Sequence, residues 1–581
     1  MNKFFNGYTL ALSLFLFQLI WIFQGLGSYD VGYHLVHQMS AANLEVSNSL
    51  PSLFFLTDLV GGMWLSLINV PSLVWVRIGA ILLFSLNALL SYKIVTVYFD
   101  RKKVFWAVFA TTLFITSLSH SLIEYFTFPS LLLTIALLLF NQLINQQVGS
   151  RTFRVYSFLL GFIVIPIVLA KFTLIIILIA PVLVWSYYRI AKKDLSELKT
   201  AASFILMGTT ASVLVFGLFY QSIGFLDVYI ESLKTQLSAS AMGDTTKIAG
   251  MGHSMSSMLK RYFIEYVNVI LLTGIASICL YIISLLSHRW GKRAANLALI
   301  ALATFGFFSV ALSWDASVST TYFIVNYTGI LIRLLIGLTL LTTIIFFLYD
   351  KGQSKNLCLL SLLSLFVLLI TSFGSNNGLF KSIYGMWLAL PLMFLINDHL
   401  KEKLENSKLK SIFSLNTVVI LLVILISVCL HFTNSYSGIP NRFRLNTPFK
   451  YKYLNYIYVD NDRVETVDET LKQINELTEK NDRILMVRVF PQFYYLTETR
   501  PLFDLHQSEY IFADSLSAAK VHNRSVAESK YPKLFVYSKK RPKFLGRGQD
   551  RLAEYFRDKY INQLGYETVW ENATYAITKK P

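Results

Sequence analysis

Cysteine and charge are both scarce in this sequence. The three cysteines, Cys279, Cys358 and Cys429, all fall within apolar stretches, which argues against a disulfide framework and against a thiolate metal site. Charged residues make up 15% of the chain and hydrophobic residues 54%. A soluble globule of 581 residues could not hide so much apolar surface from water. The composition therefore indicates an integral membrane protein.

The apolar residues are gathered into runs that are long enough to cross a bilayer. The first run covers residues 8–26, close to the roughly 20 residues that a transmembrane helix needs. No small-residue cleavage site follows it, so we expect an uncleaved first span. Further runs lie at 73–98, 104–119, 125–141, 155–170, 172–188, 201–220, 262–287, 295–313, 328–349, 357–373, 383–397 and 412–432. Single runs also occur as buried helices of soluble proteins, but this number of them predicts about thirteen transmembrane helices.

Basic residues occur in alternate loops and thereby indicate the orientation. Positive charge is retained on the cytoplasmic side, so these loops and the amino terminus are predicted to be cytoplasmic. The net charge of +18 is explained mainly by this topology, and its scatter over short loops argues against a nucleic-acid partner. The basic residues are Arg101, Lys102 and Lys103; Arg151 and Arg154; Arg189, Lys192, Lys193 and Lys199; Arg289, Lys292 and Arg293; Lys351 and Lys355; and Lys401, Lys403, Lys408 and Lys410.

Two external loops interrupt the predicted transmembrane domain, residues 1–432. The loop 27–71 contains two helix-like patches, Gly32–Leu44 and Leu53–Ile68, and the second patch is predicted to be an amphipathic helix in the membrane interface. The loop 221–261 mixes serine, glycine and methionine with charged residues. This composition is typical of a mobile loop that closes over a ligand.

The tail, residues 433–581, has the composition of an ordinary soluble protein and is predicted to be a small extracytoplasmic α/β domain. Apolar spacing predicts a helix over Arg463–Lys480 and a second helix over Asp550–Gln563. Strands are predicted at Arg483–Val489 and Lys533–Tyr537, with a closing hairpin over Tyr566–Thr578. The tail has no glycine-rich phosphate loop, metal-ligand cluster or nucleophile elbow.

Residues 28–35, Ser-Tyr-Asp-Val-Gly-Tyr-His-Leu, follow the first span, and the chain resembles the GT-C glycosyltransferases there. The order of parts is also similar over most of the chain: an aspartate loop, interfacial helices, many spans and an exported domain. Phe-Gly-Ser-Asn-Asn-Gly at 373–378 and the tail entry at Asp462-Arg463 resemble bacterial members of this superfamily. Val31 follows Asp30 where several GT-C families have a glutamate.

The resemblance implies transfer of a sugar from a polyprenyl-phosphate carrier, as in protein O-mannosyltransferases and aminoarabinose transferases. Such a transfer is a displacement at the anomeric carbon, with inversion expected. A positioned carboxylate would take the proton of the acceptor hydroxyl, and cations would stabilise the leaving phosphate. Asp30 is the predicted general base. The alternative is that Asp30 only caps a helix, since aspartate is common at helix starts.

Other polar residues of the predicted external loops, including the loop between the third and fourth spans, are candidates for the same site. Glu124 is predicted to be a second catalytic carboxylate, the alternative being a solvated loop residue. Asp58, His34 and Tyr33 are candidates for orienting the acceptor, and Asp58 is also a candidate for holding a cation. His34 and His37 lie three residues apart and could bind a divalent metal ion only with a third ligand such as Asp30. No metal site or cofactor is assigned, although a divalent cation is compatible with this pattern.

Five basic residues are candidates for binding the donor phosphate. Lys171 and Arg333 interrupt apolar sequence near the external ends of spans, where a lone charge is expensive unless it faces protein, water or headgroups. Snorkelling to the interface is the alternative for both. His253, Lys260 and Arg261 in the second external loop could close over the donor, or the two basic residues could simply anchor a span.

These features together predict a glycosyltransferase of a bacterial inner membrane that acts at the periplasmic face. Its partners would be a polyprenyl-phosphate-linked sugar and a lipid, glycan or protein acceptor of the cell envelope. A flippase for lipid-linked sugars is the main alternative, but the spans contain few ionisable residues and no internal repeat. A polysaccharide polymerase or ligase would more typically expose a large arginine-rich loop, which 221–261 does not provide.

The predicted topology can be tested by cysteine labelling in intact spheroplasts. A cysteine placed in the 433–581 tail should react with a membrane-impermeant reagent, whereas cysteines placed at 101–103 or 289–293 should not, because the basic loops face the cytoplasm. Cytoplasmic location of the tail would overturn the orientation and the site assignment that depends on it.

Overall fold

The computed structural model describes residues 5–27, 29–44, 53–68, 70–119, 121–191, 196–241, 260–275, 320–350, 354–374, 378–403, 416–433, 442–502, 531–539 and 554–581. Up to residue 433 the described chain is helical. The helices are α1 (Gly7–Leu19), α2 (Tyr29–Ala42), α3 (Phe55–Leu65), α4 (Leu73–Val95), α5 (Arg101–Leu118), α6 (Thr127–Ile144), α7 (Arg151–Ala170), α8 (Ala180–Ala191), α9 (Ser196–Ser222), α10 (Leu226–Ala241), α11 (260–275), α12 (Thr320–Asp350), α13 (Lys355–Ile370), α14 (Met386–Lys403) and α15 (Asn416–Thr433). Tight 3₁₀ segments precede α8 (Phe172–Ile179) and α14 (Gly378–Gly385).

Six helical segments among the described residues are long and apolar enough to cross a membrane. Shorter apolar helices, such as α1 and α13, accompany them. The predicted class, a polytopic helical membrane protein with a C-terminal α/β region, is therefore confirmed. The six segments are Leu73–Val95, Thr127–Ile144, Arg151–Ala170, Leu198–Ser222, Gly329–Tyr349 and Gly378–Lys403.

Polar residues at helix starts set where several of these helices begin. The Ser72 side chain accepts a hydrogen bond from the Trp75 N–H at the start of α4, and the Asp100 carboxylate accepts from the Lys102 and Lys103 N–H groups at the start of α5. Such caps satisfy backbone donors that a helix start leaves without partners.

The helix α3 is covered mostly by other helices, and its predicted position in the membrane interface stays a prediction. Eight of its eleven residues are buried, and it packs against α2, α4 and α7. The Thr57 hydroxyl donates to the Ala170 carbonyl at the end of α7 (3.0 Å). The apolar residues that suggested contact with lipid are instead covered mostly by protein.

The helix α10 contradicts the prediction of a mobile loop for the part of 221–261 that it covers. Tyr229 is buried in a cluster with Phe55 and Tyr220, and Leu226 and Leu233 pack against that cluster. These apolar positions recur at helical spacing. The prediction of a loop rested on the serine, glycine and methionine content of the segment and overlooked this periodicity.

The tail forms a five-stranded mixed sheet with strand order β4-β3-β5-β7-β6. The strand β3 pairs in parallel with β4 and β5, whereas β7 pairs antiparallel with β5 and β6. A helix at Asn461–Leu477 buries Val464, Val467, Leu471 and Ile474. The strands are β1 (Thr447–Pro448) and β2 (Tyr458–Val459), which pair separately, and β3 (Arg483–Val487), β4 (Arg500–Pro501), β5 (Leu534–Ser538), β6 (Glu567–Glu571) and β7 (Tyr575–Lys579). The predicted helices, strands and closing hairpin of the tail agree with these elements to within a few residues, and residues 554–563 form the second helix, whose last part is a π-helix.

The tail packs directly on the chain that leads from α1 into α2 and on α2 itself. The Gly25 N–H donates to the Tyr458 carbonyl (2.8 Å), and the Tyr458 N–H donates to the Phe23 carbonyl (2.7 Å). A short helix, Gln492–Leu496, packs on α2. At Gly32 of α2 an added Cβ would lie 2.3 Å from the Gln492 backbone nitrogen, so only glycine permits this approach. The tail and α2 consequently form one packed unit.

Replacement of Gly32 should therefore weaken the docking of the tail. Gly32→Ala places a methyl group against backbone, and overpacking of this kind typically costs about 1–3 kcal/mol. We expect a lower apparent unfolding temperature and faster protease cleavage of the tail in the purified protein. Gly217→Ala is the matched control, because Gly217 is also helical and has nothing within 4 Å of an added Cβ. Equal behaviour of the two variants would contradict the close packing at Gly32.

Candidate active site

Glu124 is the centre of a buried polar cluster between α5 and α6. Only 2% of its surface is exposed. The Tyr384 hydroxyl donates to Oε1 (2.9 Å), and His34 Nε2 lies 3.8 Å from Oε2. The turn itself is held by Thr127, whose hydroxyl accepts from the Glu124 N–H (2.8 Å) and donates to the Leu122 carbonyl (2.9 Å). The carboxylate is therefore fixed in position and placed against an imidazole and a phenol.

The helix α2 brings His34 to this turn. Its ring lies 5.1 Å from the ring of Tyr125 and 5.4 Å from that of Tyr33. One turn further along, the Gln38 amide donates to the Ile123 carbonyl (2.5 Å). Since α2 is attached to the Glu124 turn at two successive helical turns, its orientation relative to the carboxylate is determined.

Two buried lysines lie on the other side of the same turn. Lys171 donates to the Thr371 carbonyl (2.7 Å) and lies 4.2 Å from the ring centroid of Phe126. Lys381 lies 4.6 Å from the same centroid. Exposure is only 2% for Lys171 and 6% for Lys381. The Glu124 carboxylate attracts the Lys171 ammonium, whereas Lys381 repels it.

Lysines outnumber carboxylates among the described residues of this cluster. Lys171 and Lys381 lie beside one glutamate, Glu124. Burial of an uncompensated charge is costly. A bound anion would supply the missing negative charge, and aromatic rings compensate ammonium groups only in part.

A second buried carboxylate, Glu265, lies beside two of the other predicted cations. Arg261 Nε lies 3.3 Å from Oε1 and Arg333 Nη2 lies 3.7 Å from Oε2. The Leu379 N–H donates to Oε2 (2.7 Å). Gly378 has a positive φ of 56°, and an added Cβ would lie 2.0 Å from Oε1. Glycine is thus required where the chain passes this carboxylate.

The 3₁₀ segment Gly378–Gly385 connects the two clusters. Leu379 binds Glu265 through its backbone, Lys381 lies on Phe126, and Tyr384 binds Glu124 through its hydroxyl. The Ser130 hydroxyl donates to the Tyr384 carbonyl (2.7 Å) and fixes the end of the segment. The segment begins at Gly378, the last residue of the 373–378 motif that was noted in the sequence.

The structure thus unites three predicted residues, His34, Glu124 and Lys171, and separates them from others. Arg261 and Arg333 belong to the Glu265 cluster. Asp58 is 3% exposed in α3 and interacts electrostatically with Tyr220. Lys260 is exposed at the start of α11. His253 lies outside the described residues.

Asp30 lies in the first turn of α2, four residues before His34. Its role as general base and the orienting roles of Asp58, Tyr33 and His34 stay predictions. Lys381, Tyr384 and Glu265 were missed from the sequence. A lone lysine after the 373–378 motif and a lone glutamate in the apolar run 262–287 were the signals that could have revealed two of them.

The described part of the chain contains no group of three or more His, Cys, Asp or Glu residues arranged to hold a metal ion. Burial lowers the pKa of His37 to about 4, so its imidazole is neutral at physiological pH. Its ring packs 4.5 Å from that of Tyr33, whereas the ring of His34 is directed at Glu124. The two histidines of the possible cation site therefore have different surroundings.

Several solved structures are similar to this chain. The oligosaccharyltransferase of Archaeoglobus fulgidus in complex with Zn and sulfate has a TM-score of 0.47 and 12% identity, over 91% of this chain and 68% of that one. The apo form of ArnT from Cupriavidus metallidurans has a TM-score of 0.47 and 9% identity, over 99% and 97%. ArnT bound to undecaprenyl phosphate has a TM-score of 0.46 and 11% identity over the same shares.

No family model and no curated protein matches the chain. Because each of these TM-scores is below 0.5, the likeness assigns no activity to this protein.

Charge compensation in the Glu124 cluster can be measured with a double-mutant cycle of Glu124→Gln and Lys171→Met. Groups that interact inside a protein typically show coupling energies of about 0.5–3 kcal/mol, and we expect a value in the upper half of that range. The measurement is detergent-induced unfolding of the purified single and double variants. The exposed pair Lys103–Glu402 (3.3 Å) is the control and should couple by less than about 1 kcal/mol. Additive effects of Glu124→Gln and Lys171→Met would contradict the compensation.

Proposed function

We propose that this protein is an integral-membrane glycosyltransferase that moves a sugar from a polyprenyl-phosphate carrier to an acceptor of the cell envelope. The observation that supports the proposal most is the buried cluster of Glu124, His34, Tyr384, Lys171 and Lys381. It combines groups for proton transfer with a surplus of positive charge at one end of a helix bundle. A phosphate-linked sugar and a hydroxyl acceptor require this combination.

The lysine pair is the proposed binding site for the donor phosphate. Lys171 and Lys381 share one aromatic ring and repel each other, so a phosphate oxygen between them would relieve this repulsion. Arg261 and Arg333 share Glu265 in the same manner and supply a second positive surplus beside the same 3₁₀ segment. Lys260 and His253 precede that cluster in the chain and complete the predicted phosphate-binding set.

Asp30 is the proposed general base. Residues four apart lie on one face of a helix, so position 30 lies on the face of α2 that carries His34 towards Glu124. Asp30 would take the proton of the acceptor hydroxyl while its oxygen bonds to the anomeric carbon. The bond from that carbon to the phosphate oxygen breaks, and its electron pair stays on the phosphate, which the lysines stabilise. Attack from the side opposite the leaving group inverts the anomeric centre.

Glu124 and the residues around α2 are proposed to position these groups. Glu124 holds His34 through its second oxygen and Tyr384 through its first. Tyr33 and Asp58 flank this arrangement on α2 and α3, and we propose that they orient the acceptor. The proposed steps do not require a divalent cation.

A periplasmic location is proposed from this arrangement together with the predicted orientation. Lys103 lies near Glu402 at one end of the bundle, whereas the tail and the Glu124 turn lie at the other. The basic loops are expected in the cytoplasm. The cluster and the tail would then face the periplasm, in a bacterial inner membrane.

Substitution of Asp30 separates an enzyme from a transporter. Asp30→Asn keeps the size and capping ability of the side chain but cannot accept a proton at neutral pH, and loss of a general base typically costs about 10²–10⁴-fold in rate. The protein would be reconstituted with a panel of polyprenyl-phosphate sugars and envelope lipid extract. Release of free polyprenyl phosphate would report transfer without knowledge of the acceptor.

Asp100→Asn is the matched control, because Asp100 caps α5 at the opposite end of the bundle. It should leave the rate within about twofold of wild type, since asparagine caps as well as aspartate. Transfer by Asp30→Asn at the wild-type rate would remove Asp30 as the base. Movement of intact lipid-linked sugar across the vesicle bilayer without any release would instead favour the flippase.

A further inference from the structure

A cavity lies beside the start of α2, on the side formed by the ends of α1, α5 and α15 and the start of α4. Its volume is about 70 Å³, room for several water molecules or one compact anion. Gly27 and Val31 line it where α2 begins. Its polar lining comes from Gln18, Trp21, Arg77, Thr116, His431 and Arg442.

Arg77 supplies one cation to this cavity from the first turn of α4. It is 9% exposed, and its guanidinium donates to the carbonyls of Ile22, Gln24 and Gly25. Those bonds hold the chain that leads from α1 into α2. A guanidinium has five N–H donors, so donors remain for a further acceptor.

Arg442 supplies the second cation from the segment that enters the tail. Its guanidinium lies 5.0 Å from the ring centroid of Trp21, and Nη1 donates to the Gln24 amide oxygen (3.3 Å). Within the described part of the chain, its Nε and the Trp21 indole nitrogen are buried without a hydrogen-bond partner. Burial lowers the pKa of Arg442 to about 10, so the group is still charged at neutral pH.

The two guanidinium groups repel each other. Within the part of the chain that the structure describes, neither group forms an ion pair with a carboxylate. The His431 ring faces the same cavity, and its two nitrogens lie near the Ser427 carbonyl and the Thr116 hydroxyl. Two guanidinium groups with spare N–H donors around one cavity form a site that suits an anion.

We propose that this cavity binds a phosphate group through Arg77 and Arg442, with the Trp21 indole as an additional donor. Phosphate oxygens match the planar N–H pairs of arginine, and a doubly charged anion neutralises both groups. The phosphate belongs either to a lipid headgroup or to a soluble phosphate ester. None of the residues that line the cavity belongs to the Glu124 cluster, and the proposal does not depend on the proposed sugar transfer.

Arg442→Gln and Arg444→Gln form a matched pair of variants. Both remove one charge from the same 3₁₀ turn, but Arg444 is exposed and does not line the cavity. Binding of inorganic phosphate would be measured by equilibrium dialysis of the full-length protein in neutral detergent. Binding of phosphatidic acid would be measured by native mass spectrometry of protein released from nanodiscs of phosphatidylcholine containing phosphatidic acid.

The wild-type protein should bind one equivalent of at least one probe. Arg442→Gln should lower that affinity by about tenfold to a hundredfold, the usual value of a charged hydrogen bond, and Arg444→Gln should lower it by less than about twofold. Binding of phosphatidic acid alone assigns a lipid headgroup, and binding of inorganic phosphate assigns a soluble source. Absence of binding by the wild type, or equal losses in the two variants, would overturn the proposal.

Trp21→Phe keeps the proposal testable should Arg442→Gln fail to yield folded protein. It keeps an aromatic ring beside the Arg442 guanidinium and removes the indole N–H together with the five-membered ring. The loss of one hydrogen bond should weaken phosphate binding by about threefold to tenfold. Unchanged affinity in a folded Trp21→Phe variant would also overturn the assignment of the cavity.

Discussion

The need to compensate buried positive charge governs the arrangement of this protein outside its apolar helices. Lys171 and Lys381 lie on one aromatic ring, Glu124 attracts the Lys171 ammonium, and Arg261 and Arg333 share Glu265. Apolar packing alone would expel the two lysines and the two carboxylates from the interior. Each carboxylate is instead held by hydrogen-bond donors from elements that are distant in sequence, and these bonds determine how the helix ends are joined.

The segment Gly378–Gly385 and the helix α2 make most of the contacts that hold these carboxylates in place. The segment reaches both carboxylates within eight residues, which is possible because 3₁₀ geometry and the positive φ of Gly378 turn its backbone and side chains to both sides. The helix α2 is fixed by the Glu124 turn on one side and by the tail on the other, where Gly32 admits the Gln492 backbone. The predicted base Asp30 is thereby carried on a helix that two separate parts of the chain hold in place.

The fold was largely predictable because its signals are local. Apolar runs of span length and the apolar spacing of the tail depend only on nearby sequence, and the structure agrees with them. The prediction was wrong for residues 226–241, where a helix replaces the expected loop, and it did not include the burial of most of α3 by other helices. Both differences have one cause: burial depends on which neighbour covers an apolar face, and a hydropathy pattern does not contain that information.

The sequence by itself determined that the chain crosses a membrane repeatedly, that a polar tail ends it, and that His34, Glu124 and Lys171 are unusual for their surroundings. Only the tertiary structure decided that these three meet, that Lys381 and Tyr384 complete their cluster, and that Glu265 gathers Arg261 and Arg333. The physical reason is the range of the interactions. Helix formation and membrane insertion depend on contiguous residues, whereas a buried charge is stabilised by whichever partners folding brings within a few ångströms of it.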